Sequence, residues 1–355
     1  MKAIIPCAGR GKRLRPLTFT NSKPLIPIAN KPLVHYAIEK LRDVGIKEIG
    51  IIVGENTRDM EDVINDGSEL GVHITYIHQE NPLGIAHTIM VAKDFLGDSP
   101  FVMYLGDNLM QESLDQAVQQ FKSNGSNAML FLCPTDKPQL YGIAVVEDDR
   151  IVRLIEKPQD PPSNLACIGI YLFDSTIHSI TDNMQPSPRG EYEITDAIQG
   201  LLDNGGHIEH HILNGWWIDA GNPDDMIEAN RLVLQGLQEP DIQGAVDDES
   251  DIRGNVIIGK GSRIERSTIR GPVIIGEDCL IRAAFVGSFS SIGDRTEIVN
   301  SEVEYSVIMQ DCEITDIEQR IDNSILGCNV RIVHTQRRPR SHKLILSDNS
   351  AGELG

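Results

Sequence analysis

From about Gln235 onward, apolar residues return at a fixed interval. Ile252, Ile269, Val286 and Val303 form one column, Ile258, Ile275 and Ile292 a second, and Ile264, Ile281 and Ile298 a third, each stepping by 17 residues. Gly259, Gly276 and Gly293 each follow a member of the second column. Three short strands per repeat, each turning an apolar residue inward, describe a hexapeptide-type solenoid, a parallel β-helix. Beyond Ile314 the steps become irregular, through Ile321, Ile325, Val330 and Ile332. The tail from His334, with Arg337, Arg338 and Arg340, is expected to be a surface arm.

The first part of the chain has another rhythm. Lys2–Cys7, Glu48–Val53 and Phe101–Leu105 are short apolar runs that read as buried strands. Between them, Pro32 stands where a helix can start, and Leu33, Tyr36, Ala37, Lys40 and Leu41 follow at helical spacing. Met60, Val63 and Ile64 suggest a second amphipathic segment. Strands separated by helices of this length predict an α/β domain with a mostly parallel, Rossmann-like sheet covered on both faces. Ligands of such sheets bind at the carboxyl ends of the strands. The predicted organisation is a catalytic domain over 1–240, a β-helix over 241–333 and a tail over 334–355.

Charge narrows the partners. The 355 residues include 32 Lys plus Arg against 52 Asp plus Glu, a net charge of −20. That balance argues against a general nucleic-acid binder, yet a few placed cations can still hold a small phosphorylated ligand. No apolar run approaches the ~20 residues of a membrane span. The N-terminal apolar stretch is too short for a signal peptide and runs directly into charge. The six cysteines are scattered without a C-x-x-C pair, as in a reduced, cytoplasmic protein with no cysteine zinc site. His207, His210 and His211 lie beside Ile208 and Ile212 in a pattern that predicts a strand rather than a metal cluster.

The first strand runs into Ala8-Gly9-Arg10-Gly11-Lys12-Arg13-Leu14-Arg15-Pro16-Leu17-Thr18. Ala8, Gly9 and Gly11 offer backbone N–H groups to phosphate oxygens, and four basic side chains add positive charge. A dinucleotide fingerprint would need glycine at position 14, where Leu14 stands, and a Walker loop would need glycine at position 6 and Ser or Thr at 13, where Pro6 and Arg13 stand. Ser22-Lys23-Pro24-Leu25 follows, with a lysine held beside a proline. Read alone, Asp107 could cap a helix over Gln111–Gln120, and Asp219 could be a turn residue before Gly221.

The order of segments carries more than any one of them. Gly9 to Thr18, Lys23-Pro24, Leu105-Gly106-Asp107-Asn108, Glu156-Lys157-Pro158, Arg189 to Asp196 and Trp216 to Gly221 together resemble the sugar nucleotidylyltransferases. The resemblance covers nearly the whole chain and extends to long-form glucose-1-phosphate thymidylyltransferases, which carry a left-handed hexapeptide β-helix after the catalytic domain. It implies Mg²⁺-dependent transfer of a nucleotidyl group to a sugar 1-phosphate, with dTTP and glucose 1-phosphate as the expected pair and UTP as the alternative nucleotide. It implies Asp107 and Asp219 as metal ligands, Arg13 and Lys23 as catalytic cations, and Gln79 and Gly84 as the base-recognition segment. Lys157 would bind the sugar phosphate and Glu156 the sugar hydroxyls, with Tyr141, Gly142, Gly169, Tyr171 and Glu191 around the sugar. Because Glu156 and Lys157 are neighbours on a strand, both reach one ligand only if the strand breaks locally or if the two ends of the sugar phosphate lie on different sides.

The chain departs from the family pattern at Ala8, Lys12, Pro24 and His87, which leaves the reaction class intact and puts dTTP against UTP in doubt. Acyl transfer by the β-helix is disfavoured because no histidine lies between His211 and His334. A non-catalytic scaffold subunit is disfavoured because Arg13, Lys23, Asp107, Lys157 and Asp219 are all present. The resemblance also implies a homo-oligomer, with neither a nucleic-acid nor a membrane partner.

Overall fold

The apolar runs become strands at Lys2–Pro6, Glu48–Val53 and Phe101–Tyr104 in a computed structural model that describes residues 1–334. The arm expected beyond them lies outside the described residues. Successive side chains of these strands feed two separate cores. Ala3, Ile5, Ile51 and Val102 join one, while Ile4, Ile52, Phe101 and Met103 join the other. Burial on both faces is why these strands read as continuous apolar runs rather than as alternating ones.

Across the sheet the strands lie in the order Ile208–Ile212, Ala128–Pro134, Leu165–Phe173, Phe101–Tyr104, Lys2–Pro6, Glu48–Val53, His73–His78. Every pairing in this series is parallel except the two made by Leu165–Phe173, so that strand alone runs against the other six. A hairpin of Gly142–Glu147 and Arg150–Glu156 joins the first residues of the reversed strand. The helices Leu33–Asp43, Thr57–Ile64 and Asp115–Asn124 cover one face, through Val34, Ala37, Met60, Val118 and Phe121. Ile85–Val91 and Ile194–Asp203 cover the other, through Ala86, Ile89, Ile194 and Ile198. The His-rich segment is a strand, as its alternation predicts, and His211 pairs there with Glu112 at 2.9 Å.

This sheet domain comprises Met1–Arg10, Ser22–Leu25 and Leu33–Asp219. A second unit groups Gly11–Asn21, Ile26–Pro32 and the chain from Ala220 onward. Its body is a left-handed parallel β-helix of three sheets, each stacked through successive coils. The three predicted columns pair in register: Ile252 with Ile269, Ile258 with Ile275, and Ile264 with Ile281. The irregular end of the repeat keeps stacking. Ile298 pairs with Ile314, one residue short of a full repeat, and Ile314 pairs with Ile332, one residue over. A side chain on Gly259 would lie 2.6 Å from the backbone of Gly276, and one on Gly293 would lie 2.5 Å from Gln310 N. The glycine column therefore reflects the close stacking of coils.

Within the same unit, the helix Pro223–Gln235 carries one fully buried asparagine. Asn230 Oδ1 accepts from Ala29 N at 2.8 Å and from Ser291 Oγ at 3.0 Å, and Nδ2 donates to Phe289 O at 2.9 Å. The amide thereby joins the tight hairpin of Pro27–Ile28 and Lys31–Pro32 to a β-helix coil. Asn230→Ala leaves three groups without this partner at a dry site, and each buried orphan costs about 1–3 kcal/mol. The variant is expected to show a clearly lowered thermal midpoint by circular dichroism, whereas exposed Gln238→Ala is expected to leave the midpoint within a degree or two.

Candidate active site

Three neighbouring strands deliver their following residues to one edge of the sheet. Lys2–Pro6 leads to Ala8, Glu48–Val53 to Gly54, and His73–His78 to Gln79. A side chain on Gly54 would touch both Ala8, at 3.5 Å, and Gln79 O, at 3.7 Å. One added at Gly9 would meet nothing within 4 Å, so the loop backbone borders open space there. Phe101–Tyr104 ends at the same edge, where Gly106 abuts the first strand: its Cβ would fall 2.7 Å from Cys7 Sγ and 3.3 Å from Pro6 O. That contact turns the chain so that Asp107 leaves the sheet edge.

Asp107 does not cap a helix. The next residues, Asn108–Met110, form a short strand paired antiparallel with Trp217–Asp219, and Asp219 stands directly opposite Asn108. Two carboxylates far apart in the chain thus become neighbours. Lys23 lies between them, with Nζ 2.5 Å from Asp107 Oδ2 and 3.7 Å from Asp219 Oδ1. The lysine is 8 % exposed. A buried ammonium needs such partners, since it would otherwise lose its hydration uncompensated. Its segment is anchored by Asn56, whose Nδ2 donates to Ser22 Oγ at 2.6 Å and to Cys7 O at 3.1 Å. Burial first, and the Asp107 charge second, push the Cys7 thiol well above its usual range, so it stays protonated beside the site.

The second cluster surrounds Glu156. Lys157 has φ +41°, a local strand break, one of the two arrangements the sequence allowed, and its Nζ lies 3.0 Å from Glu156 Oε1. Arg189 Nη1 reaches the same oxygen at 3.4 Å, and Thr195 Oγ1 donates to Oε2 at 3.2 Å. Arg189 also pairs with Glu193 at 3.3 Å. Burial, only partly offset by the Ser187 hydroxyl and Arg189, raises the Glu193 carboxyl above the ordinary range. Burial and the Glu156 charge raise Asp196.

The two clusters are linked. Tyr141 O accepts from Lys157 N at 3.0 Å, and the Tyr141 ring meets Trp217 edge-on at 5.2 Å. Trp217 Nε1 donates to Asn108 Oδ1 at 2.7 Å, and Asn108 Nδ2 reaches Asp107 Oδ1 at 3.3 Å. On the other side, Gln79 is 3 % exposed and its Nε2 contacts His87 Nδ1 at 2.8 Å. His87 stacks on Tyr192 with centroids 5.9 Å apart. Tyr192 precedes Glu193 of the second cluster, so hydrogen bonds, ion pairs and ring contacts together lead from Gln79 round to Lys23.

Several expected residues acquire a different physical basis. Gly84, with φ +113°, faces the Tyr192 backbone, and a Cβ there would lie 2.5 Å from Tyr192 O. Tyr192 N donates to Leu83 O at 2.7 Å and Ala86 N to Tyr192 O at 3.0 Å, so this glycine admits the protein's own chain. Gly169, φ +78°, sits at a bulge of Leu165–Phe173, where a Cβ would strike Leu105 and Asn108. Gly142 is likewise crowded by Thr195 and Glu156. Tyr171 is 3 % exposed and stacks on Phe173 in the core. Of the two acids in the Arg189 segment, buried Glu193 belongs to the cluster, while Glu191 stays 3.9 Å from Arg189 and half exposed. Gly11 and exposed Arg13 lie in the segment that groups with the β-helix unit, where Thr18 Oγ1 donates to Gly11 O at 2.8 Å and Gly11 caps the turn Lys12–Leu14.

Sequence reasoning missed Arg189, Asn108, Asn56 and Thr195. The signal for Arg189, Thr195 and Asn108 was present, since all three stand in the matched segments.

A Rossmann-like sheet edge that gathers paired carboxylates and cations describes the class, and comparison gives the family. Residues 2–236 match the model described as Nucleotidyl transferase, and the chain belongs to that family. It is 41 % identical to the glucose-1-phosphate thymidylyltransferase of Streptomyces antibioticus, over all of this chain and 99 % of that one. It is 42 % identical to a low-salt glycan biosynthesis nucleotidyltransferase of Haloferax volcanii, over the full length of both. Among solved structures, a UDP-glucose pyrophosphorylase complexed with UDP-glucose aligns with a TM-score of 0.60 at 27 % identity, covering 66 % of this chain and 98 % of that one. Among the described residues no helix is long and apolar enough to cross a membrane.

The Gly84 contact yields a direct test. Gly84→Ala combines an unfavourable φ with a backbone clash, together costing about 1–3 kcal/mol or more. Its thermal midpoint is expected to fall, whereas Gly9→Ala, which meets open space, is expected to leave the midpoint unchanged.

Proposed function

We propose that this protein is a Mg²⁺-dependent glucose-1-phosphate thymidylyltransferase, converting dTTP and glucose 1-phosphate into dTDP-glucose and pyrophosphate. The observation that carries the reading is the pairing of Lys23 with both Asp107 and Asp219 beside the cation-bearing Glu156 cluster. The likeness to the Streptomyces thymidylyltransferase along the entire chain supports the choice of substrates.

Both reactants are anions, so the site has to hold them together and spread the charge of the transition state. A sugar-phosphate oxygen attacks the α-phosphorus in line. As that O–P bond forms, the bond to pyrophosphate breaks, and the electron pair leaves with the pyrophosphate oxygen. The attacking oxygen is already ionised, so no proton transfer is required. Lys23 would neutralise charge growing on the α- and leaving phosphates. Arg13 has the corresponding role by resemblance, toward the triphosphate. Lys157 and Arg189 would take the sugar phosphate, and Glu156 would accept hydrogen bonds from sugar hydroxyls.

The donor set suits Mg²⁺. Asp107 and Asp219 already converge on one cationic nitrogen, so the site accommodates positive charge at that point. Among the described residues no group of three or more His, Cys, Asp or Glu could hold a metal unaided. Two carboxylates completed by phosphate oxygens and water are a Mg²⁺ set, unlike that of zinc. When bound, the ion would add Lewis-acid stabilisation of the phosphates.

Gln79 would meet the base. Its Nε2 faces His87, and among the described residues its Oε1 has no hydrogen-bond partner. An open acceptor suits the ring N3–H shared by thymine and uracil. UTP is therefore the second reading, separated from dTTP by one methyl worth about 1–3 kcal/mol.

Pyrophosphate release with Mg²⁺ and glucose 1-phosphate, run in parallel with dTTP, UTP, CTP, ATP and GTP, tests this. The expected order is dTTP, then UTP, then the rest, and no turnover with any nucleotide across several sugar 1-phosphates would sink the proposal. Asp107→Ala is expected to lower kcat by about 100-fold or more. Lys157→Met is expected to raise KM for the sugar phosphate by about 10- to 100-fold, the range of one charge-assisted hydrogen bond.

A further inference from the structure

We infer that His87 is a positioning residue for nucleotide selection: it fixes which end of the Gln79 amide faces the base. The inference rests on the proposed contact between Gln79 and the base. Gln79 is almost wholly buried, so its amide cannot turn freely through water, and its orientation is set by what surrounds it. The neighbour is His87, with Nδ1 2.8 Å from Gln79 Nε2. An amide nitrogen only donates, so Nδ1 must accept, which places the imidazole proton on Nε2. Burial lowers the His87 pKa, keeping the ring neutral and able to accept at neutral pH.

The ring is held as well. It stacks on Tyr192 at an interplanar angle of 22°. Tyr192 is in turn fastened to the base segment through Leu83 O and Ala86 N. A rigid acceptor beside Nε2 leaves Oε1 as the end available to a ligand. An acceptor there pairs with the N3–H of thymine or uracil and opposes the bare N3 of cytosine. Without the His87 nitrogen, both amide orientations become accessible, and the flipped one donates to cytosine. Selection between pyrimidines then depends on a side chain that need not touch the nucleotide.

The test is the ratio of kcat/KM for the better of dTTP and UTP to that for CTP, measured on one preparation so that any loss of folded protein cancels. His87→Phe keeps a ring against Tyr192 but removes the acceptor, and the ratio is expected to fall at least about tenfold, with CTP use rising. His87→Asn returns an acceptor near the position of Nδ1 and is expected to recover most of the ratio. Gln79→Ala is expected to lose it irrespective of residue 87. An unchanged ratio in His87→Phe, with loss in Gln79→Ala, overturns the role of His87 while leaving the base contact standing. Failure of His87→Asn to recover what His87→Phe loses overturns the hydrogen-bonding role in favour of packing. An unchanged ratio in Gln79→Ala overturns the base contact itself, and the inference with it.

Discussion

The site hangs on a ladder of three residue pairs. Trp217–Asp219 meets Asn108–Met110 outside the main sheet, and this pairing alone puts Asp219 beside Asp107. A two-stranded ladder is marginal by itself. Here it is reinforced by the Trp217 indole bonded to Asn108, and by Lys23, which joins the two acids. Two carboxylates held this close repel unless a cation stands near them, so ladder and lysine depend on each other. Loss of Lys23 would leave Asp107 and Asp219 opposed in a half-buried site, and loss of the ladder would leave a buried ammonium with only one partner.

The same reciprocity shapes the rest of the sheet edge. Lys157 and Arg189 both lean on Glu156, Arg189 also holds Glu193, and Tyr192 closes the circuit toward Gln79. Each functional group is fixed by another functional group as well as by the scaffold. Precise chemistry demands such support, because groups on loops lose geometry when their neighbours are left loose. It also means that substitutions here will not add independently, since residues in one network share partners.

Much of this was legible in the chain, and the exceptions have physical reasons. The buried strands declared themselves because both faces are covered, and the β-helix because its columns repeat. The one-residue irregularities between Ile298, Ile314 and Ile332 blurred the repeat over its last coil, since a turn can absorb a residue without disturbing the inward column. Asp107, Asp219, Glu156 and Lys157 were named through the family order, and the structure gathers them in two clusters, with the break at Lys157 one of the arrangements that strand geometry allowed. Gly84, Gly142 and Gly169 were named through the family order, and each is also crowded by the protein's own Tyr192, Thr195 or Asn108. A sequence shows that a backbone needs space and not what fills it. Asn56 and Asn230 were invisible for a related reason: a buried or half-buried polar residue is defined by partners distant in the chain.

An acidic protein proposed to bind two polyanions faces a general conflict, and the arrangement of its cations answers it. With a net charge of −20, the molecule as a whole repels its proposed substrates. Field at a distance is screened over roughly 8 Å at physiological salt, so attraction has to be local. Lys23, Lys157 and Arg189 supply it, and in the free protein each rests on a carboxylate. Those carboxylates keep the cations in place before a phosphate binds. On the proposed reading, an arriving phosphate would exchange or share each cation's partner. The carboxylates would then be free for other ligands, Glu156 for sugar hydroxyls and Asp107 and Asp219 for the metal. The acids would thus serve as tethers before binding and as ligands after it, so a site proposed for anions can carry acids beside its bases.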